Sequence, residues 1–336
     1  MKKIRNYPKY QRYQRRRQKR ALRNSRKRNP KSLHALGTSK ERASVFEKGF
    51  NFERIDAPSN FSFVNDPDTF IDFLSELKMI VFSGKSVIVD LSDIKEITND
   101  ALIALQSVIQ DKKVPRDVKV FIQQPNDERL SDRLEESGIN EEAVGFNRDI
   151  APPSSGRFRQ KNSVEADMEK ANELIRFATR KLFGRKMRLL DVQRILSECI
   201  DNTTFHANPE KKLAEMWWAT VYYNSKKGIA HFSILDNGIG IIESLKIKFA
   251  TELTLLFKYG NNAKLMAAIF KGKVKSRTGK ANRGRGLPGI FKARSRHEFT
   301  NLVVISNNVF VNFDRKEYKL LKNSFSGTFF YWEVRK

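Results

Sequence analysis

Two side chains with complementary chemistry stand four positions apart in residues 187–206, where the apolar spacing predicts a helix. At about 100° per residue, Glu198 and Asn202 project from one flank of the apolar stripe. A carboxylate and a carboxamide one turn apart suit a water molecule or a metal ion held between them. The same pair is common on solvated helix faces, so the spacing alone does not identify a site. His206 lies one further turn along, where it either touches a phosphate or is an ordinary surface histidine.

A second group of candidates follows a predicted strand at residues 229–235. Asp236 ends this strand, and Gly238 and Gly240 come directly after it in the pattern Asp-x-Gly-x-Gly. Glycines have no β-carbon, so they let a ligand approach the backbone closely. The segment therefore predicts a ligand pocket at the end of the strand, with one carboxylate in it.

Glycines return after a long insertion, residues 241–283, which has helical patterns at 251–258 and 263–270. Unusually long connections are often lids over active sites. The turn Gly284-Arg285-Gly286-Leu287 then leads into a predicted helix, whose first N–H groups suit phosphate oxygens. The last predicted strand begins with the sequence Ser-Gly-Thr-Phe at 326–329.

Residues 187–334 resemble the GHKL superfamily of ATPases, which includes gyrase B and the histidine kinases, because they carry all of these motifs in the same order. The resemblance implies ATP as the ligand and Mg²⁺ as its cofactor. It implies that Asn202 ligates Mg²⁺, that Glu198 orients or deprotonates the attacking water or acceptor, and that Asp236 binds the adenine amino group. The other nucleotide contacts that it implies are Gly238, Gly240, Gly284, Arg285, Gly286, Leu287, Thr328, His206 and Lys280.

The implied contacts divide between the base and the phosphates. Thr328 supports Asp236 at the base, and the glycine turn covers the phosphates, although Pro288 departs from the small residue usual after Gly-x-Gly-Leu. The insertion and turn are rich in cations, of which one or two are expected to reach the γ-phosphate because phosphoryl transfer depends mainly on positioning and charge neutralisation. These cations are Lys271, Lys273, Lys275, Arg277, Lys280, Arg283 and Arg285.

An earlier segment, VIVDLSDIKEITNDALIAL at 87–105, resembles the STAS domain of anti-sigma-factor antagonists and sulphate transporters. In the signalling members a serine in a turn before a helix is phosphorylated by a partner kinase. Asn99 stands at that position here, which argues against a phosphoswitch, and the adjacent Thr98 is the alternative acceptor. The resemblance implies a docking or dimerisation module for a protein partner or a homodimer; a plain α/β spacer is the alternative.

The pattern along the chain predicts a mixed α/β (α+β) fold with two domains. Alternating strands and helices over 51–146 indicate a βαβ domain, including helices over 67–82 and from 99 onward. The Pro- and Ser-rich segment 147–162 is predicted to be a linker. Residues 163–336 form the predicted ATP-binding α/β sandwich, with further helices over 164–183 and 187–206 and three strands within 302–334.

Positive charge is concentrated in two blocks of a chain whose net charge is +26. Residues 1–50 hold 18 Lys and Arg against two Glu, and residues 258–296 hold 12 Lys and Arg with no acidic residue. The first block has too little apolar content for a core and carries interleaved tyrosines, so it predicts a disordered arm that binds nucleic acid. A solvated tail that docks on any polyanion or on a protein is the alternative.

Several classes of protein are disfavoured. No apolar run is long enough for a membrane span, and no signal peptide begins the chain, so a cytoplasmic protein without membrane contact is expected. The single cysteine, Cys199, has no partner in the chain, and no Cys/His cluster has metal-site spacing. The leading hypothesis is an ATPase that acts as a nucleotide-dependent conformational switch. The alternatives are a serine/threonine protein kinase of the anti-sigma type and an adaptor that binds ATP without hydrolysing it.

Overall fold

Short strands and longer helices alternate through the first part of the chain. The basic arm predicted at 1–50 and parts of the predicted linker and lid lie outside the residues that the structure describes. The computed structural model describes residues 52–137, 139, 142–143, 158–163, 167–206, 216–248, 258–274 and 286–336.

A parallel sheet forms around the apolar run at 87–89. Strands β1 (Glu53–Asp56), β3 (Val87–Asp90) and β5 (Val120–Gln123) run in the same direction, and β6 (Glu142–Ala143) joins β5 antiparallel. All four residues of β3 are buried, as expected for the inner strand of a parallel sheet. The short strands β2 (Asn60–Phe61) and β4 (Glu96–Ile97) form a separate parallel pair. The predicted βαβ arrangement of this part is confirmed.

Helices α1 (Pro67–Phe82) and α2 (Asn99–Ile109) connect these strands, and α3 (Glu128–Ser137) follows β5. The carboxylate of Asp66 accepts the N–H of Thr69 at the start of α1. Pro67 occupies the first turn, where its missing N–H leaves no intrahelical bond unmade. Every residue of α2 is buried, so this helix lies between two layers and not at the surface.

A five-stranded antiparallel sheet forms the second half of the protein. Its strands are β7 (Phe158–Ser163), β8 (Trp217–Asn224), β9 (Ile229–Asp236), β10 (Thr300–Asn312) and β11 (Glu317–Arg335), in the spatial order β10-β11-β9-β8-β7. Large side chains point to both faces of this sheet. Phe232 and Trp332 stack on one face at 5.3 Å, whereas Leu235 and Phe329 are buried on the other.

One face of this sheet is covered by the later helices. These are α4 (Met168–Phe183), α5 (Leu190–His206), α6 (Ile241–Lys248), α7 (Asn262–Phe270) and α8 (Gly286–Ala293), which share one hydrophobic core with the sheet. Gly184 ends α4 with a φ of 71°, which only glycine adopts without strain. The carboxylate of Glu298 accepts N–H groups of Leu190, Asp191 and Val192, and so caps α5.

The opposite face of the same sheet packs against α1 and α2. The ring of Phe63 lies 5.0 Å from that of Phe325 and 4.8 Å from that of Phe329, and the three belong to one core with the parallel sheet. The molecule is therefore layered as parallel sheet, α1 and α2, antiparallel sheet, and later helices. Residues 51–336 form one compact unit.

The sequence expectations differ from the structure in several places. Residues 158–162 of the predicted linker belong to β7, and the helix expected from 164 begins at Met168. Neither β8 nor α6 was predicted. The two strands expected at 302–305 and 309–313 are one strand, β10, with irregular register around Asn307. Among the residues that the structure describes, no helix is long and apolar enough to cross a membrane.

Candidate functional site

Glu198 and Asn202 lie one turn apart on α5, and both are half-buried. The neighbouring Cys199 is buried in the core, which fixes the rotation of the helix and turns the flank with Glu198 and Asn202 toward the edge of the packed layer. Burial raises the pKa of Glu198, the charge of Asp201 raises it further, and Arg194 opposes the rise. The Glu198 carboxyl therefore holds a proton more tightly than an ordinary glutamate does, as suits a proton acceptor.

The start of α8 lies directly against Glu198. A β-carbon added to Gly286 would come within 2.1 Å of Oε2 of Glu198, so any side chain at 286 requires the Glu198 carboxylate or the start of α8 to move. A β-carbon at Gly289, one turn later, would meet Arg194 only at 3.7 Å, which is an ordinary contact. The second glycine of the predicted phosphate turn and the predicted catalytic carboxylate are thus neighbours. Leu287 follows and packs half-buried against the helical core.

Asp236 ends β9 and is 7% exposed. Its Oδ1 accepts the N–H of Gly238 at 2.8 Å, so the carboxylate is held by the turn that follows it. In the register of the antiparallel sheet, Asp236 stands opposite Thr328 on β11. The sequence analysis paired these two residues, and the sheet brings them together. They lie at the same end of the sheet as the turn at 237–240.

Glycines surround Asp236 because the backbone has no room for side chains there. Gly327 has a φ of 128°, and a β-carbon on it would lie 2.1 Å from the carbonyl oxygen of Asp236. Gly240 has a φ of 85°, and its β-carbon would lie 2.5 Å from Oδ1 of Asn307. Both conformations are ones that L-residues rarely adopt. Gly240 and Gly327 are therefore structurally required.

Asn307 and Ser306 hold this turn, and the sequence analysis did not include either residue. Asn307 donates to the carbonyl of Ile239 at 2.8 Å and accepts the N–H of Ile242 at 2.9 Å. Ser306 accepts the N–H of Ile241 and donates to the carbonyl of Gly327, both at 2.9 Å. In the sequence, the feature that could have indicated them is that these two adjacent polar residues interrupt an otherwise apolar strand.

The buried thiol of Cys199 is influenced by the charges of both Asp236 and Glu198. Burial raises the pKa of its thiol well above the usual range, and the negative charges of Asp236 and Glu198 raise it further. The thiol is therefore within electrostatic reach of both carboxylates. The end of β9 and the flank of α5 thus lie in one region of the molecule.

Other predicted site residues are described only in part. His206 is the last residue of α5. Lys280, Gly284 and Arg285 lie outside the described residues, as do three of the other insertion cations; Lys271 and Lys273 are described and exposed. Across the described ranges, no three acidic, His or Cys side chains converge on a metal site.

The start of α2 holds the residue aligned with the phosphoacceptor. Asn99 is 4% exposed, and its Oδ1 lies 3.5 Å from the guanidinium of Arg133. The next residue, Asp100, accepts the N–H groups of Phe63 and Val64 at 2.7 and 3.0 Å. This turn is enclosed in the fold, which does not suit a site that a kinase must reach.

No protein-family model matches the chain, and no curated protein matches it significantly.

Proposed function

We propose that residues 187–334 bind ATP and hydrolyse it as a GHKL-type ATPase. The contact between Gly286 and Glu198 carries this proposal: a β-carbon at 286 would lie 2.1 Å from the carboxylate that the resemblance makes catalytic. The contact between Gly286 and Glu198 supports the proposal because phosphates covered by the glycine turn would lie beside the carboxylate that acts on them.

Asp236 recognises the adenine base in this proposal. Its carboxylate accepts a hydrogen bond from the adenine amino group, and Thr328, opposite it in the sheet, supports the same contact. Gly238 and Gly240 line the base pocket, as the resemblance implies. The buried position of Asp236 supports this role because a hydrogen bond to a desolvated carboxylate discriminates strongly between a donor and an acceptor on the base.

Asn202 and Glu198 have different roles at the phosphates. Mg²⁺ keeps most of its waters and takes only one or two protein oxygens beside phosphate oxygens, so a single half-buried carboxamide at Asn202 fits it. When bound, Mg²⁺ neutralises phosphate charge. Glu198 orients the attacking water and accepts its proton, a role that its raised pKa supports. The fold of α5 keeps the two side chains one turn apart.

The remaining implied contacts complete the phosphate site. Gly284, Gly286 and Leu287 cover the phosphates, while Arg285 and Lys280 supply positive charge. His206 touches a phosphate from the end of α5. The exposed Lys271 and Lys273 lie in the predicted lid, and the block of twelve cations at 258–296 supplies more charge than one nucleotide uses. The surplus suits nucleic acid, together with the arm at 1–50.

The conformational switch follows from the layered fold. The α/β part at 52–143, which we propose to be STAS-like, covers the face of the antiparallel sheet opposite the helical layer with α5 and α8. Closure of the lid on ATP is proposed to change that docking or the pairing of two copies. The basic arm holds nucleic acid while this happens. Deleting residues 1–50 is expected to abolish both nucleic-acid affinity and its dependence on salt concentration.

An anti-sigma-type protein kinase remains the alternative, and the fold bears on its substrate. Asn99 begins α2, whereas Asp111, just beyond the end of the helix, contacts Asn237 in the proposed base loop. An eleven-residue helix is about 16 Å long. The aligned acceptor position is thus buried and about a helix length from the proposed nucleotide loop. A kinase of this kind would phosphorylate another chain.

The test is transfer of the γ-phosphate. Purified protein is incubated with γ-labelled ATP and Mg²⁺, with and without RNA or DNA, and free phosphate is separated from labelled protein. The ATPase predicts free phosphate, with stimulation by nucleic acid if the basic blocks act on the same chemistry. Label on a serine or threonine of an added protein would make the chain a kinase, and ATP bound without either product would favour the adaptor.

A further inference from the structure

The end of α2 is joined to the turn that follows β9. The indole N–H of Trp218 donates to Oε1 of Gln110 at 3.0 Å, in a fully buried contact. One residue later, the carboxylate of Asp111 accepts a hydrogen bond from Nδ2 of Asn237. Asp111 is 3% exposed, so this hydrogen bond to a charged group is shielded from water.

Asn237 is held from both sides. Its Oδ1 accepts the N–H of Met216 at 3.2 Å, while its Nδ2 donates to Asp111. Asn237 stands between Asp236 and Gly238, whose carboxylate and N–H are bonded to each other at 2.8 Å. A displacement of the Asn237 side chain would therefore shift the peptide groups that orient the Asp236 carboxylate.

A second set of contacts joins α1 to the strand opposite Asp236. Asp68 accepts the N–H of Lys322 at 2.7 Å, and Asp72 accepts from the side chain of Asn323. Lys78 lies 5.4 Å from the ring centroid of Phe325. These contacts fix β11 just before the segment that carries Gly327 and Thr328. The two segments of the proposed base site are the turn after Asp236 and the part of β11 with Thr328. Both are thus held by contacts with the helices of the first α/β part or the residues that directly follow them.

We propose that Asp111 is a positioning residue for the nucleotide site. It acts through the carboxamide of Asn237 to hold the Asp236–Gly238 turn, and it thereby couples ATP affinity to the docking of α1 and α2 on the antiparallel sheet. The inference rests on the proposed function. Because coupling is reciprocal, ATP strengthens the docking of α2 by the same factor by which docking strengthens ATP binding.

Replacing Asp111 by asparagine removes the negative charge but keeps a hydrogen-bond acceptor, so it separates the effect of the charge from the effect of positioning Asn237. Asp111→Asn keeps an oxygen that accepts from Asn237 but gives up the bond that Oδ1 of Asp111 accepts from the N–H of Lys113. Asp111→Ala removes both bonds and takes this acceptor away from the half-buried Asn237 amide. Asp117→Ala is the matched control, because Asp117 is an exposed aspartate of the same connection. Asp111→Ala is expected to raise the KM for ATP about tenfold with kcat unchanged, since Glu198 is untouched. The Asn and control variants are expected to match the wild type.

A measurement without nucleotide distinguishes the two proposals. Hydrogen exchange of the 237–240 amides should become faster in Asp111→Ala and stay at the wild-type rate in Asp111→Asn and Asp117→Ala. An unchanged exchange rate and an unchanged KM in Asp111→Ala would overturn the positioning role while leaving the ATPase intact. If the wild type binds no ATP but exchange still accelerates, the proposed function fails and the structural role of Asp111 stands without the coupling.

Discussion

Gly286 leaves no space for a side chain beside Glu198: a β-carbon on Gly286 would lie 2.1 Å from Oε2 of the carboxylate. The glycine begins α8 and the glutamate lies in the middle of α5, so the contact joins two helices separated by the whole insertion. It fixes the distance between a helix N-terminus and a carboxyl whose pKa is raised by burial. The proposed ATPase mechanism uses both features, the helix N-terminus for phosphate oxygens and the carboxylate as proton acceptor.

Gly286→Ala tests that contact. The added methyl group must displace either Glu198 or the start of α8, and a misplacement of about 1 Å lowers turnover on the order of 100-fold. We expect kcat to fall by about that factor. Gly289→Ala is the control, because its β-carbon would meet Arg194 at 3.7 Å without a clash, and it should retain activity. Equal activity of the two variants would show that the Glu198 position does not matter.

The pH dependence of turnover reports on Glu198. A proton acceptor works only when ionised, so the rate should fall as pH drops through a pKa above the ordinary range of glutamate. Asp201→Asn removes a negative charge that raises this pKa, and should move the acidic limb to lower pH. Arg194→Ala removes the opposing positive charge and should move it to higher pH. If the acidic limb of the pH–rate profile lay at the same pH in both variants, Glu198 would be excluded as the group whose titration sets that limb.

Gly240 and Gly84 provide a matched pair for the stability of the turn. Both have a positive φ, 85° and 83°, but a β-carbon on Gly240 would clash with Asn307, whereas nothing lies within 4 Å of one on Gly84. Gly84→Ala should lower the free energy of unfolding by about 1 kcal/mol through backbone strain alone. Gly240→Ala should lower it by about 1–3 kcal/mol more. Urea denaturation measures both, and equal losses would mean that Asn307 moves aside.

Local signals in the sequence predicted much of this fold. Asp66 and Pro67 mark the start of α1, and the apolar run before α2 marks β3, so both helices were predicted within a residue of their starts. The strand β8 was not predicted, because Trp217–Asn224 is buried on both faces at its start and lacks alternation. A strand of that kind has no period to detect.

The candidate site was predicted where glycines had to occur and not where long-range contacts form. Gly240 and Gly327 are required by their positive φ and by close neighbours, and Gly286 lies directly against the Glu198 carboxylate. The bond between Asp111 and Asn237 joins residues 126 positions apart, and neither residue is unusual in its local sequence. Asn307 likewise acts through a tertiary contact to the turn at 239–242. Such pairs follow from the packing of layers, which local patterns do not specify.

Glu198→Gln separates ATP binding from ATP hydrolysis when both are measured on the same preparation. The amide keeps the size of the side chain beside Gly286 but cannot accept a proton, so Mg²⁺-ATP affinity should match the wild type while turnover falls about 100-fold or more. Glu76→Gln, at an exposed glutamate of α1, should leave both unchanged. Turnover by Glu198→Gln equal to that of the wild type would contradict the assignment of Glu198 and the ATPase mechanism built on it.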